Sequence, residues 1–187
     1  MDFSPNALGL SHKFISEHVK EGSTCVDATA GRGRDTLFLC RLVGKSGSVF
    51  AFDIQDDAIK STQKLLNDSG ENATLILNCH SKMDQYLEEN SVDAIMFNFG
   101  WLPGGDHTKF SHGDTSCLAI EKGLNLLKIG GVMSLCIYCG KETGFEEKET
   151  LLSFLKSLDQ KKYSVLLTDY INRSGNPPIA VLITKDA

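Results

Sequence analysis

The sequence predicts a single α/β domain: a seven-stranded, mostly parallel sheet with an antiparallel last strand and helices on both faces. Three observations predict it. Short apolar runs alternate with longer amphipathic stretches almost throughout, which is the order of right-handed βαβ units. Only about nine residues, Ile171 to Ile179, separate the last two strands, too few for a crossover helix, so they pair as a hairpin and one of them is reversed. The 187 residues are enough to bury a full core without disulfides or metal, and no linker, repeat or low-complexity tract divides them.

The strands are predicted at Thr24–Ala28, Ser48–Asp53, Thr74–Asn78, Val92–Phe97, Val132–Tyr138, Ser164–Tyr170 and Ala180–Thr184. The helices are predicted at Leu8–Lys20, Asp35–Val43, Asp57–Asn67, Lys82–Glu89, Thr115–Leu127 and Phe145–Leu158. Ser81-x-x-Asp84 has the form of a capping box with a shorter acid. Gly22, Gly44, Gly70 and Gly130 stand where helices should stop.

Composition narrows the class. A hydrophobic fraction of 41% and a charged fraction of 23% exclude a largely disordered chain, a collagen-like repeat and a coiled coil. No apolar stretch approaches the roughly 20 residues of a membrane span. Met1 to Asn6 have neither a basic start nor an apolar run, so the expected compartment is the cytoplasm, with no membrane partner. There the six cysteines are expected as free, mostly buried thiols. Cys136 and Cys139 form a C-x-x-C at a strand end, where residues three apart face opposite sides, and no second pair completes a zinc site. A net charge of −5 excludes global attraction to phosphate, leaving a local basic patch or one assembled across a homodimer.

The most informative segment is Val26-Asp27-Ala28-Thr29-Ala30-Gly31-Arg32-Gly33-Arg34-Asp35-Thr36, between the first strand and a helix. Gly31 and Gly33 let the backbone bend sharply and approach a ligand closely. The third glycine of a dinucleotide fingerprint is missing, because Thr36 holds its place. Asp27, at the strand's end, would repel a pyrophosphate in a low-dielectric turn and suits a ligand with a positive amino group. Both features argue against a nicotinamide-dependent oxidoreductase and for S-adenosylmethionine, which carries an ammonium and a sulfonium.

Asp53 ends the second strand, 22 residues after Gly31, where an acid accepts hydrogen bonds from both ribose hydroxyls or, alternatively, caps the following helix. Gln55 or Ile54 is then placed against the adenine. His80, after the third strand, either borders that ring or satisfies a loop carbonyl.

Strand four runs into Asn98-Phe99-Gly100-Trp101-Leu102-Pro103-Gly104-Gly105-Asp106-His107, on the edge where ligands of open α/β sheets bind. Asn98 offers an acceptor oxygen and an amide donor. Trp101 is either a stacking platform or a core anchor. Asp106, His107, His112 and Asp114 cluster in sequence without the spacing of a metal site, so no metal is expected. Asp114 is expected to cap the next helix, and Asp106 or His107 to accept a proton or orient the substrate. Asn176-Pro177-Pro178-Ile179 looks like the Asn-Pro-Pro-aromatic motif of amino-group methyltransferases but lies in the final hairpin and lacks the aromatic. Asn176 either touches substrate or belongs to a rigid turn.

The blocks Asp27–Thr36, Phe52–Gln55 and Asn98–His107, continued by Tyr138-x-Gly140, Gly144, Glu147 and Asn176-Pro177-Pro178, resemble the small methyltransferases described as rRNA methylases, a family of tRNA 5-aminomethyl-2-thiouridine methyltransferases. The resemblance covers nearly the whole chain. It implies a Rossmann-like class I methyltransferase fold and transfer of a methyl group to the aminomethyl nitrogen of a modified wobble uridine in the tRNA anticodon. The alternative substrates are rRNA or a small-molecule amine. The residues so assigned to S-adenosylmethionine are Asp27, Ala28, Thr29, Gly31, Gly33, Asp35, Thr36, Asp53, Gln55, His80, Asn98 and Gly100. Those assigned to substrate are Trp101, Leu102, Lys141 and Asn176, and those assigned to catalysis are Asn98, Asp106 and His107. The sequence departs from the family pattern at Arg32, Arg34, Trp101 and Lys141.

Overall fold

The computed structural model describes residues 6–99, 113–138 and 141–187, with side chains from 146 onward in the last stretch. Its elements are α1 (Ala7–His18), β1 (Thr24–Asp27), α2 (Arg34–Val43), β2 (Ser48–Asp53), α3 (Asp56–Ser69), β3 (Thr74–Leu77), a 3₁₀ helix (His80–Gln85), β4 (Val92–Phe99), α4 (Gly113–Leu126), β5 (Leu127–Ile137), α5 (Lys141–Lys156), β6 (Tyr163–Thr168) and β7 (Ile179–Lys185). The seven strands form one sheet in the order β3-β2-β1-β4-β5-β7-β6. Pairs among β1 to β5 are parallel, and β7 is antiparallel to both neighbours. The expected fold class is the observed one. The reversed strand β7 sits between β5 and β6 rather than outside them.

Side-chain alternation along the strands sorts the core into two layers. Ile95, Phe97 and Phe99 of β4 join Val26, Phe52, Met133, Leu135 and Ile137 beneath Ile120 and Leu124 of α4 and Leu151 and Leu155 of α5. Ala94 and Met96 face the other way, toward Ile15 of α1, Phe38, Leu39 and Val43 of α2, and Leu66 of α3. The same alternation puts Asp27, Asp53 and Asn98 on the α1/α2/α3 side. The chain runs outward from β1 to β3 and then returns to the far side of β1 as β4, so the sheet's switch point lies between the carboxyl ends of β1 and β4.

Several local expectations are corrected. Residues 82–89 form no α-helix: a 3₁₀ turn ends at Gln85, and Lys82 inside it has non-helical angles (φ −112°, ψ 18°). The capping box there does not form, because the Ser81 hydroxyl goes to Cys79 Sγ (3.1 Å) and Asp84 meets Lys122 (2.8 Å). Fully buried Met83 anchors the turn beneath α4, and the tighter winding delivers the chain to β4 in few residues. Gly44 and Gly70 do terminate α2 and α3 with positive φ. Gly22 lies in the turn before β1, since Val19 ends α1. Gly130 (φ +79°) lies within β5, where the pairing jumps from Val92–Leu127 to Ala94–Val132. Asp114 stands in the first turn of α4, favourable toward the helix dipole, rather than at a cap. Among the described residues, Cys25, Cys40 and Cys136 are buried free thiols, whereas Cys79 and Cys117 are half-buried. Cys139 lies outside the described residues.

One feature of β7 was not foreseen. Lys185 is buried, and its ammonium donates to Leu124 O (3.0 Å), Leu127 O (2.7 Å) and Asn90 Oδ1 (2.9 Å), satisfying carbonyls left open where α4 ends. Lys185→Met keeps the aliphatic stem and leaves those carbonyls unpaired. It is expected to lower unfolding free energy by about 2 kcal/mol, read as a lower urea midpoint at unchanged slope. No helix among the described residues is long and apolar enough to cross a membrane.

Candidate active site

The site is built from the carboxyl ends of β1, β2 and β4 and the N-terminus of α2. Asp27 is fully buried and accepts from the Thr36 hydroxyl (2.6 Å) and from Thr29 N (3.1 Å). Thr36 therefore replaces a fingerprint glycine for a reason: its hydroxyl anchors the β1 carboxylate to α2. Gly31 has φ +53°, and its N–H donates to Asp53 Oδ2 (2.9 Å). Asp53 Oδ1 accepts from Gln55 N (2.9 Å), so one carboxylate ties the glycine turn to the segment entering α3. The capping alternative for Asp53 fails, because α3 starts from Gln55 with no side-chain cap.

Gly33 (φ +80°) is required twice over. Its backbone is left-handed, and a Cβ there would lie 2.9 Å from the Thr62 Cα of α3. The Thr62 hydroxyl in turn donates to Gly31 O (3.3 Å). The turn is thus clamped between α2 and α3.

Asp35, in the first turn of α2, joins the β1 and β4 ends. Its Oδ1 is 2.7 Å from His12 Nε2, and its Oδ2 accepts from Asn98 Nδ2. A carboxylate only accepts, so the Asn98 amide nitrogen must face Asp35. The Asn98 backbone N–H donates to the Thr29 hydroxyl (2.8 Å), and its Oδ1 is buried with no partner among the described residues. His80 Nδ1 lies 3.2 Å from Ala28 O, which makes that nitrogen the donor. Burial pushes the imidazole pKa down, and its Nε2 is a second buried atom with no partner among the described residues. The loop-carbonyl role expected as an alternative for His80 is present. Phe97 and Phe99 flank it edge-on at 5.8 and 6.1 Å.

Electrostatically the site is acidic. Burial first, and the Asp35 carboxylate second, push the Asp27 pKa up to about 7, against the lowering effect of its Thr36 and Thr29 hydrogen bonds. The native state therefore holds a proton that the unfolded chain releases near pH 4. Stability should fall as pH rises from about 4 to about 7 through this group. Asp27→Asn should remove that part of the slope, measured by urea unfolding at several pH values. Asn98 Oδ1 and His80 Nε2, acceptors with no partner among the described residues, and the acidic side chains of Asp27, Asp35 and Asp53 fit a ligand bearing positive charge, hydroxyls and an amino group. They do not fit a pyrophosphate.

His12 is the residue that sequence reasoning missed. It stacks flat on Phe38 (centroids 4.0 Å, 9°) and brings α1 over the switch point. The available signal was a polar pair, Ser11 and His12, on the inward stripe of Ala7, Ser11, Ile15 and Val19. Ser11 meets Cys136 Sγ at 3.2 Å. Of the other assigned residues, Ala28, Thr29 and Gln55 line this edge. Asn176 is exposed, with φ +50°, in the β6–β7 hairpin, whose tip lies on the same edge because β6 runs parallel to β5. Gly100, Trp101, Leu102, Asp106 and His107 lie outside the described residues, as does the Lys141 side chain.

The chain matches known proteins along nearly its whole length. A family model described as "Putative rRNA methylase" matches residues 49–184. The chloroplastic tRNA (mnm5s2U34)-methyltransferase of Arabidopsis thaliana is 34% identical over 96% of this chain and 70% of that protein. A crystal structure described as a putative rRNA methylase from Clostridium thermocellum is 50% identical, covers 97% of this chain and 98% of its own, and superposes with a TM-score of 0.95. A methyltransferase of Streptococcus mutans solved with S-adenosylhomocysteine is 36% identical, with coverage of 97% and 99% and a TM-score of 0.88. A conserved-length match of this kind, joined to an acid-lined turn at the switch point, leaves one assignment: the chain belongs to the rRNA methylase family of S-adenosylmethionine-dependent methyltransferases, the family of the tRNA 5-aminomethyl-2-thiouridine methyltransferases.

Proposed function

We propose that the protein transfers a methyl group to the aminomethyl nitrogen of a modified wobble uridine in tRNA. The observation that carries the proposal is Asn98. Its NH₂ group is committed to Asp35, so its Oδ1, which has no partner among the described residues, is a fixed acceptor at the sheet edge, suited to the N–H of an amine. The named activity of the plant relative supports the same substrate class. S-adenosylmethionine supplies a methyl group already activated by its positive sulfur.

The chain's own residues hold and orient. Asp53, with the Gly31 turn, is assigned to the ribose hydroxyls, and His80 Nε2 and Gln55 to the base. Asp27, Asp35, Thr36 and the Ala28–Gly33 backbone form the acidic cradle for the amino-acid part. Asn98 Oδ1 orients the substrate amine, which must be neutral to offer its lone pair. The proton is assigned to Asp106 or His107, Gly100 to the cofactor, and Trp101, Leu102, Lys141 and Asn176 to the substrate. Alignment of the reacting atoms is the main contribution asked of the protein.

The decisive assay is mass spectrometry of nucleosides after incubation of the enzyme and cofactor with undermodified tRNA. A gain of one methyl on the aminomethyl-2-thiouridine nucleoside is the expected result. Methylation of rRNA or of a free amine, with tRNA untouched, would overturn the substrate. Because the chain carries net charge −5, tRNA binding must rest on local cations such as Arg32, Arg34 and Arg41, all exposed around α2. Affinity for tRNA is expected to fall at least about tenfold between 50 and 200 mM salt, checked by filter binding.

A further inference from the structure

The hairpin joining β6 to β7 carries a side-chain pair that the site described above does not use. Arg173 holds its guanidinium 3.8 Å above the ring centre of Tyr170. Arg173 is exposed, and none of the ion pairs among the described residues involves it. Ile171 beside them stands fully in water. From Tyr170 to Pro178 the only charged side chain is this arginine. The backbone there is stiff: Gly175 (φ +88°) and Asn176 (φ +50°) are left-handed, and Pro177 and Pro178 follow. At the base of the hairpin the Asp169 carboxylate accepts from Tyr170 N (2.7 Å). Sheet register fixes where the pair stands. Asn98, Cys136, Ala180 and Thr168 form one row across β4, β5, β7 and β6. Facing residues of neighbouring strands point to the same side, so Thr168 shares the α1 side with Asn98. Tyr170, two residues further out, lines a small cleft on that side with Thr168, Pro178, and Ala7 and Leu10 of α1. Three strand spacings separate Asn98 from Thr168, about 14 Å.

We propose that Tyr170 and Arg173 form a stacking platform for an unpaired RNA base, one that lies a few nucleotides from the uridine whose amine meets Asn98. The proposal rests on the tRNA reading above and adds where the strand runs on leaving the site. An aromatic ring capped by a guanidinium takes the face of a base and a neighbouring phosphate together, which is how unpaired loop nucleotides are held. Ile171 offers the same base an apolar neighbour. A purely anionic partner, peptide or phosphate, would use the cation and gain nothing from the ring beneath it. The stiff tip is set before RNA arrives, so little ordering entropy is lost on binding. At a rise of about 3.4 Å per stacked nucleotide, the distance from Asn98 corresponds to about four nucleotides. The contacted base therefore belongs to the same unpaired loop as the methylated uridine.

The test uses the full chain and synthetic anticodon stem-loops carrying 5-aminomethyl-2-thiouridine at the wobble position. Arg173→Ala should raise KM for the stem-loop at least about tenfold, with cofactor affinity by calorimetry equal to that of wild type. Arg173→Lys keeps the charge without the plane and should stay at least about fivefold weaker than wild type. Tyr170→Phe keeps the ring and should match wild type, whereas Tyr170→Ala should resemble Arg173→Ala. Abasic sites placed singly through the loop should reveal one position, other than the wobble, that costs wild type about tenfold but costs Arg173→Ala less than about twofold. A wild-type KM in Arg173→Lys would overturn the platform, because charge alone would then suffice. Losses from Arg173→Ala that multiply with those of every abasic site would overturn it too, because no base would then rest on the pair. Methylation of the stem-loop by wild type with unchanged KM in Arg173→Ala would overturn the platform alone. Failure of wild type to methylate the stem-loop would overturn the tRNA reading beneath it. Should Tyr170→Ala fail to fold, the exposed Arg173 variants and the abasic series decide.

Discussion

Asp53→Ala is expected to weaken S-adenosylmethionine binding by at least about 100-fold, measured by calorimetry. The carboxylate accepts from Gly31 N and from Gln55 N, both at 2.9 Å. It thus holds the glycine turn against the end of β2 before any ligand arrives. Hydrogen bonds to a charged group contribute about 1.5–3 kcal/mol each. Losing this tether, together with the assigned ribose contacts, amounts to roughly 3 kcal/mol, or about two powers of ten. Asp53→Asn keeps one acceptor oxygen and should lose less. A variant that folds, by its urea midpoint, yet binds the cofactor as tightly as wild type would remove Asp53 from the site.

Asn98→Ala is expected to lower turnover about 100-fold, the loss that follows when a reacting group is misplaced by about an ångström. Three contacts fix this side chain. Its backbone meets Thr29, its amide nitrogen meets Asp35, and Asp35 is itself held by His12. Asn98→Asp should be as poor, because it places a second carboxylate against Asp35 in a partly buried site. His12→Ala should cost less, since Asp35 keeps its place on α2 and loses only one partner. Full turnover by Asn98→Ala at saturating tRNA would exclude the amide from orienting the amine.

What could be read from the sequence was what local chemistry dictates. The alternation of apolar runs located every strand to within a few residues, and the Asp27–Thr36 segment announced a turn with two constrained glycines. Gly33 and Thr36 carry their reasons in contacts with Thr62 and Asp27, which only the folded chain supplies. His12 was not legible because its partner lies 23 residues away and the two meet only when α1 packs over the switch point. The 3₁₀ segment was misread as an α-helix because its apolar spacing suits either winding, and the burial of Met83 decides between them. The reversal of one hairpin strand followed from a short connection. The insertion of β7 between β5 and β6 is a long-range pairing that no local pattern encodes.

That insertion has a consequence for synthesis. β6 emerges from the ribosome before β7, yet among the described residues it is β7 alone that bridges it to β5. Until β7 has been made, the β5 half of the sheet exposes an apolar flank, and β6 has no neighbour to hold it. The nascent protein must therefore wait, half-assembled, for its final strand. Any message truncated shortly before Ile179 would yield a product destined for chaperones and proteases.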